Sequence, residues 1–254
     1  MCRGGTKMWC EIGKVFRLLG RTGDDCRCIV LVGAGKGFCA GVDFTDESFG
    51  LMYMMNDTDV ARKSISFRSQ IMEMQSCLMA IEECPVPVVV AIHGTCVGAG
   101  MEMASFADIR LCSPGTKFSI REVQMGLIAW IQQLYKICAG NISRVRELCY
   151  TGEDFDSAEA LRIGFVSRVS SSLSVLDDAI DVAKRISLNS PVAVNGTKLS
   201  LNYARDHSVK EGLNQAAIQD SATLMTNDLM ESFAANSSGN DRGGVATEFA
   251  PLLP

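Results

Sequence analysis

Histidine is almost missing from this chain of 254 residues, which holds only His93 and His207. The eleven cysteines do not make up for it. Their number is odd, no two stand in a C-x-x-C spacing, and only Cys26 and Cys28 are close neighbours. His93 and Cys96 have a ligand-like spacing, but no second pair completes a site. A metal cluster and a disulfide framework are therefore both excluded, and the thiols are expected to be reduced packing residues of an intracellular protein. The glycosylation-like triplets at Asn141, Asn195 and Asn236 are then chance matches. A positive charge excess is also lacking: 24 Lys and Arg face 29 Asp and Glu, a net charge of −5. That balance argues against a nucleic-acid surface. No apolar run approaches the ~20 residues of a membrane span. The most apolar stretch, residues 86–104, is interrupted by Pro87, His93, glycine turns and Glu102.

What is present is a folding chain. With 47% hydrophobic and 21% charged residues it is no disordered polymer. A domain of this length buries roughly 70–75% of its unfolded surface and needs no staple. The first 21 residues carry five basic side chains and one acid, Glu11, as an organelle presequence would. Trp9, Ile12, Val15, Phe16 and Leu19 also share one helical face, and a helix of the fold is the expectation.

Short β-branched runs alternate with helical patterns. CIVLV at 28–32 reads as a buried strand followed by the turn GAGKGFCAG. Residues 60–83 read as a helix, because Phe67, Ile71, Met74, Leu78 and Ile81 recur at steps of four and three; Cys-Pro-Val-Pro stops it. VVVAI at 88–92 is a second strand ending in GTCVGAG, and further strands are expected at 109–111 and 165–169. Strands buried on both faces and joined by helices imply βαβ units and a mostly parallel sheet. From Val175 the pattern is helical, with Val175, Ala179, Val182 and Ile186 in register, and it continues to about Ala235. The final stretch has turn-former composition and is expected to be poorly ordered.

Neither glycine turn is a nucleotide motif. GAGKG lacks the Ser/Thr and spacing of a phosphate loop, and Phe38 stands where a dinucleotide fingerprint needs its third glycine. Both turns still put free backbone N–H groups at strand ends, an arrangement suited to an oxyanion. Just beyond the second turn Glu102 sits among Met101, Met103 and Ala104, and twenty residues on Glu122 is again a lone acid in an apolar segment. A carboxylate there is costly unless it is functional or paired, for instance with Arg110 or Arg121.

The segments CIVLVGAGKGFCAGVDF, CPVPVVVAIHGTCVGAGMEMASFADIRLCSPGTKFSIREVQMGL and LCYTGEDFDSAEALRIGFVSRV resemble the enoyl-CoA hydratase/isomerase (crotonase) superfamily. The resemblance runs from about Trp9 to Ala235, and SPVAVNGTKLSLNYARDHSVKEGLN is most similar to its Δ3,5-Δ2,4-dienoyl-CoA isomerase branch. It implies an α/β fold, a crotonase-like (ClpP/crotonase) spiral of ββα units over residues 1–174. A helical trimerisation region at 175–235 and a flexible tail at 236–254 follow, and the assembly is a homotrimer or a hexamer of two trimers. It implies thioester enolate chemistry on an acyl-CoA of fatty-acid β-oxidation, with no metal, no redox cofactor, no nucleic acid and no membrane span. Coenzyme A arrives with the substrate.

By position, Val42 and Ala99 become the oxyanion donors, with Ala40, Gly41, Asp43, Gly98, Gly100 and Trp130 lining the substrate. Glu102 falls where hydratases have a catalytic Glu and dienoyl isomerases an Asp, and Glu122 matches the second catalytic Glu of both. The isomerase branch carries another Asp eight residues after that Glu, where this chain has Trp130, in a stretch shortened by about three residues. No acid occurs from Val123 to Arg146 to replace it. Overall resemblance thus favours the isomerase and the acids favour 2-enoyl-CoA hydratase. An impaired acyl-CoA-binding or assembly protein is a third reading. Family members also open with a β-hairpin and a basic loop of the CoA pocket, whereas MCRGGTKMW enters directly at a helix. Lys7, Lys36 and Lys198 are candidates for phosphate contact, with an ordinary solvated charge as the favoured reading of Lys36 and Lys198. The C-terminal LLP is no peroxisomal signal, and a mitochondrial matrix location is expected.

Overall fold

The computed structural model describes residues 5–20, 26–43, 59–171, 174–237 and 249–250. The chain opens with α1 (Thr6–Leu19), β1 (Ile29–Val32) and α2 (Val60–Glu83), whose N-terminus is capped by Asp59 accepting from the Arg62 N–H. The Pro85–Pro87 stretch cannot continue α2, and the chain turns into β2 (Val88–Ile92). Then come β3 (Thr95–Val97), α3 (Ala99–Ser105), β4 (Ile109–Cys112), β5 (Lys117–Ser119) and a 3₁₀ helix at Glu122–Met125. After α4 (Gln132–Ile137), α5 (Ile142–Thr151), β6 (Asp154–Phe155), α6 (Ser157–Arg162) and β7 (Arg168–Val169), the chain is helical. Its last elements are α7 (Val175–Ser187), α8 (Pro191–Asp206), α9 (Val209–Thr223) and α10 (Asn227–Ser237). Serines 174, 190 and 208 cap α7, α8 and α9, the last in a full capping box with Glu211.

Two sheets result. Strands β1-β2-β4-β7 form a four-stranded parallel sheet, and β3-β5-β6 form a smaller one whose β5–β6 pair is antiparallel. The period of two in β2 divides the core. Val88, Val90 and Ile92 face the main cluster with Trp9, Leu78, Ile81 and Phe118, while Val89 and Ala91 face Val175, Ala179 and Val182 of α7. Each fully buried aliphatic side chain here stabilises the fold by roughly 1.5–3 kcal/mol.

The helix expected at 60–83 and the strand at 88–92 coincide with α2 and β2. Three local expectations need correction. The first strand is not buried on both faces: it lies at the sheet edge, and Val32 is exposed. Val15 of α1 also points outward, although Trp9 and Phe16 are buried as the face predicts. The strand expected at 165–169 shrinks to Arg168–Val169, because the Phe165 and Val166 N–H groups both donate to the Ala160 carbonyl and close the end of α6. The tail at 236–254 lies, apart from residues 236–237 and 249–250, outside the described residues. All ten described cysteines are free thiols, and seven are buried. No helix among the described residues is long and apolar enough to cross a membrane.

Candidate active site

The two glycine turns are stitched together by backbone. Cys39 forms a parallel bridge with Cys96 of β3: its N–H donates to the Thr95 carbonyl and its carbonyl accepts from the Val97 N–H, both at 3.0 Å. The residues just beyond the bridge, Ala40–Val42 on one side and Gly98–Ala99 on the other, are thereby brought together. Each expected donor follows a glycine in a conformation that L-residues rarely adopt, Gly41 at φ 97° before Val42 and Gly98 at φ 55° before Ala99. Gly100 gives the close approach: a Cβ there would stand 2.8 Å from the Cys39 Cβ and 2.9 Å from its carbonyl oxygen. Ala99 is the first residue of α3, so its N–H has no acceptor within the helix. The Gly98 carbonyl accepts from the Met101 N–H at 2.7 Å and the Glu102 N–H at 3.2 Å, which fixes the plane of the 98–99 peptide.

Glu102 lies in the first turn of α3 and Glu122 opens the 3₁₀ helix after β5. Ladder β3–β5 holds the two segments side by side, ending where the Gly98 N–H donates to the Ser119 carbonyl at 2.9 Å. The carboxylates share a small cavity of about 10 Å³ walled by Gly98, Met101, Ile120, Trp130, Ile131 and Leu134, room for about one water. Glu102 Oε1 accepts a 2.6 Å hydrogen bond from the Trp130 backbone N–H. Glu122 Oε2 is buried without any hydrogen-bond partner.

Both acids are held above the ordinary carboxylate range. Burial is the main cause for Glu102, the nearby Glu122 charge adds to it, and the Trp130 N–H opposes it; the result is a pKa of about 7. Burial also raises Glu122. The possible arginine partners are engaged elsewhere. Arg110 donates to the carbonyls of Phe165 and Ala107, and Arg121 pairs with Asp154 at 2.7 Å. Among the described residues neither glutamate forms an ion pair with a basic side chain.

The enoyl-CoA hydratase/isomerase family model matches residues 6–236. The chain belongs to that family. Among its relatives, the mitochondrial Δ(3,5)-Δ(2,4)-dienoyl-CoA isomerase of Pongo abelii is 43% identical over 231 residues, covering 89% of this chain and 70% of that one. The peroxisomal protein of the same name from Arabidopsis thaliana is 38% identical over 213 residues, covering 83% and 77%. The crystal structure of an enoyl-CoA hydratase from Bacillus anthracis superposes with a TM-score of 0.81 over 99% of this chain and 90% of that one, at 22% identity, and shares the fold.

Glu102, Glu122 and Trp130 wall one cavity, Ala99 starts the helix that carries Glu102, and Val42 follows the Cys39–Cys96 bridge; the lysines are placed differently. Lys198 is buried, donating to the Val86 carbonyl at 3.0 Å and pairing with Asp108 at 2.8 Å, so it is a strut between α8 and the sheet and not a phosphate contact. Lys7 is exposed and faces Glu11 across one turn of α1, at 3.9 Å. Lys36 is exposed in the first glycine turn. Ala40 and Asp43 flank the turn at the edge of residues 44–58, which lie outside the described residues. Trp130 contributes its backbone N–H to the site while its side chain packs against the core. That role carries no sequence signal, because a main-chain donor 28 positions away is independent of residue type.

Proposed function

We propose that this chain is a Δ3,5-Δ2,4-dienoyl-CoA isomerase of fatty-acid β-oxidation. The relatives at 43% and 38% identity carry that name, and the observation that carries the chemistry is the partly buried Glu102–Glu122 pair sharing one cavity beside Gly98. The reaction moves two double bonds by one position each: a proton leaves C2, a proton arrives at C6, and no electrons are gained or lost. With the thioester oxygen on the N–H groups of Val42 and Ala99, the charge that develops as C2 loses its proton is held as an enolate. Two neighbouring carboxylates with one proton between them supply both ends of the transfer when the ionised one accepts from C2 and the protonated one donates at C6. Glu102 thus takes the part for which Trp130 offers no acid. No resident cofactor or metal is required by this scheme, and coenzyme A belongs to the substrate. The one-water cavity lies between the two acids and is far too small for an acyl chain.

A second reading, 2-enoyl-CoA hydratase, is favoured by that same cavity, because two glutamates around the space of one water are what addition of water to a double bond needs. Purified protein offered 3,5-dienoyl-CoA and 2-enoyl-CoA separately decides between them. Growth of the 2,4-dienoyl ultraviolet absorbance supports the isomerase, and loss of the 2-enoyl absorbance supports the hydratase. Flat traces with retained CoA-ligand binding reject both in favour of an acyl-CoA-binding role. We further assign the assembly as a homotrimer or a dimer of trimers built on α8–α10, and the location as the mitochondrial matrix, since relatives are named mitochondrial or peroxisomal.

A further inference from the structure

No other side chain orients the Glu122 carboxylate: its own backbone N–H donates to it, and its Oε2 is buried and unpartnered. Where that group meets a substrate is therefore dictated by its backbone, and the backbone is gripped on both sides. Three residues earlier, Ser119 is fully buried at the end of β5 and donates its hydroxyl to the Gly152 carbonyl at 3.1 Å. Two residues later, the Gln124 amide donates to the same carbonyl at 3.0 Å and to the Thr151 carbonyl at 3.0 Å. Both carbonyls belong to the C-terminal end of α5, where helix geometry leaves them without acceptor duty inside the helix. Gly152 is shaped for this: its φ is 65°, and a Cβ there would lie 2.8 Å from Gln124 Cγ. Ser119 also ties the opposite wall, since its carbonyl holds the Gly98 N–H.

We propose that Ser119 and Gln124 are positioning residues for Glu122, two arms that pin its backbone to the Gly152 carbonyl and so set its distance from Glu102 and from the reacting carbons. The activity arm of this proposal rests on the isomerase or hydratase reading; the geometric arm does not. A role confined to stability would lower the melting temperature and leave the relation between the two acids unchanged. The titratable groups facing Glu122 are Glu102 on α3 and the Cys149 thiol on α5.

The test uses Ser119→Ala, Gln124→Met, Gln124→Glu and the Ser119→Ala/Gln124→Met double variant of the full chain. Each folded single variant is expected to lose about tenfold in kcat with KM changed less than about threefold, since a misplaced reacting group costs rate more than binding. The double variant should lose less than the product of the singles, because both arms hold one carbonyl. Gln124→Glu, of the same size but unable to donate, should behave no better than Gln124→Met. Independently of turnover, the Glu102 titration, followed by its carboxylate infrared band with Glu102→Gln as the blank, should move down in the double variant as Glu122 drifts away. Unchanged kcat in the folded variants, or a lower melting temperature with the Glu102 titration unmoved, overturns the proposal. If the unaltered protein turns over neither thioester, the functional reading fails and the titration alone decides. Gln124, whose outer edge faces solvent, keeps the test open should the buried Ser119→Ala variant fail to fold.

Discussion

Glu102 is flanked by Met101 and Met103 and lies close to a second acid, and both circumstances favour its protonated form. Its folded pKa of about 7 exceeds the ordinary value of 4.5, so the native state binds more protons than the unfolded state between those two values. Stability contributed by this group is therefore fully present below about pH 4.5 and is lost as pH rises through about 7. The span corresponds to roughly 3 kcal/mol at most. Glu102→Gln keeps an oxygen for the Trp130 N–H and removes the charge, so its melting temperature should exceed that of the unaltered protein at pH 8 and match it near pH 4.5. Thermal unfolding at the two pH values checks this, and equal curves at pH 8 reject the raised pKa. Catalysis needs one acid ionised and the other protonated, so kcat/KM should follow a bell with its descending limb near pH 7, a value belonging to the pair. Glu122→Gln should lower kcat about 10²–10⁴-fold with little change in ligand binding. Retained turnover would remove Glu122 from the chemistry.

At the scale of elements, the meeting of the first glycine turn with the start of α3 is the part on which the site depends. Gly100→Ala would drive a methyl group into Cys39 backbone and side chain, and it should cut kcat at least tenfold by prising the Val42 and Ala99 N–H groups apart, in a protein whose circular dichroism is unchanged. Wild-type kcat in that variant would sink the assignment of these two donors. This junction was only half legible in the sequence. Runs such as VVVAI announce themselves because a strand buried on both faces must be continuously apolar, and α2 did so through its period and its proline stop. Strands β3, β5 and β6 are two or three residues long, too short to show a period, and only long-range pairing defines them. The two glutamates stood out as acids among apolar residues; the Trp130 N–H, the Ser119 hydroxyl and the Gly152 carbonyl did not, because main-chain groups are present at every position. Lys198 misleads for the opposite reason: its sequence neighbours are those of an exposed helix, and only the fold shows it buried against Asp108. Removing it strands a carboxylate that also accepts from the Val88 N–H at 2.7 Å. Lys198→Met should therefore cost about 3 kcal/mol in denaturant unfolding while KM for the CoA thioester stays within about twofold. A raised KM at unchanged stability would return Lys198 to the substrate site.

The largest scale poses a packing question that one chain leaves open. Helices α9 and α10 and the turn between them point large apolar side chains outward: Val209, Leu213, Leu224, Met225, Met230 and Phe233 are all more than half exposed, and α9 buries no residue. A groove of about 700 Å³ between α8 and α9–α10 continues this surface, lined by Val192, Leu201, Leu213, Leu224 and Leu229. A solvent-facing apolar surface of this extent is characteristic of a protein that associates. The strands β2, β4 and β5 bury nearly every apolar side chain within the chain itself, whereas Leu18, Val60, Ile65 and Ile128 of the N-terminal two thirds are exposed as scattered residues outside the groove. The groove makes α8–α10 the expected centre of association, and light scattering should give three or six times the 27.4 kDa chain mass. Leu213→Glu together with Phe233→Glu places two charges on that surface without touching either core cluster, so it should yield a folded species of lower mass. If the double variant keeps the parent mass, the assembly is built on another face; if the parent itself is a 27.4 kDa species, the exposed helices serve some other contact.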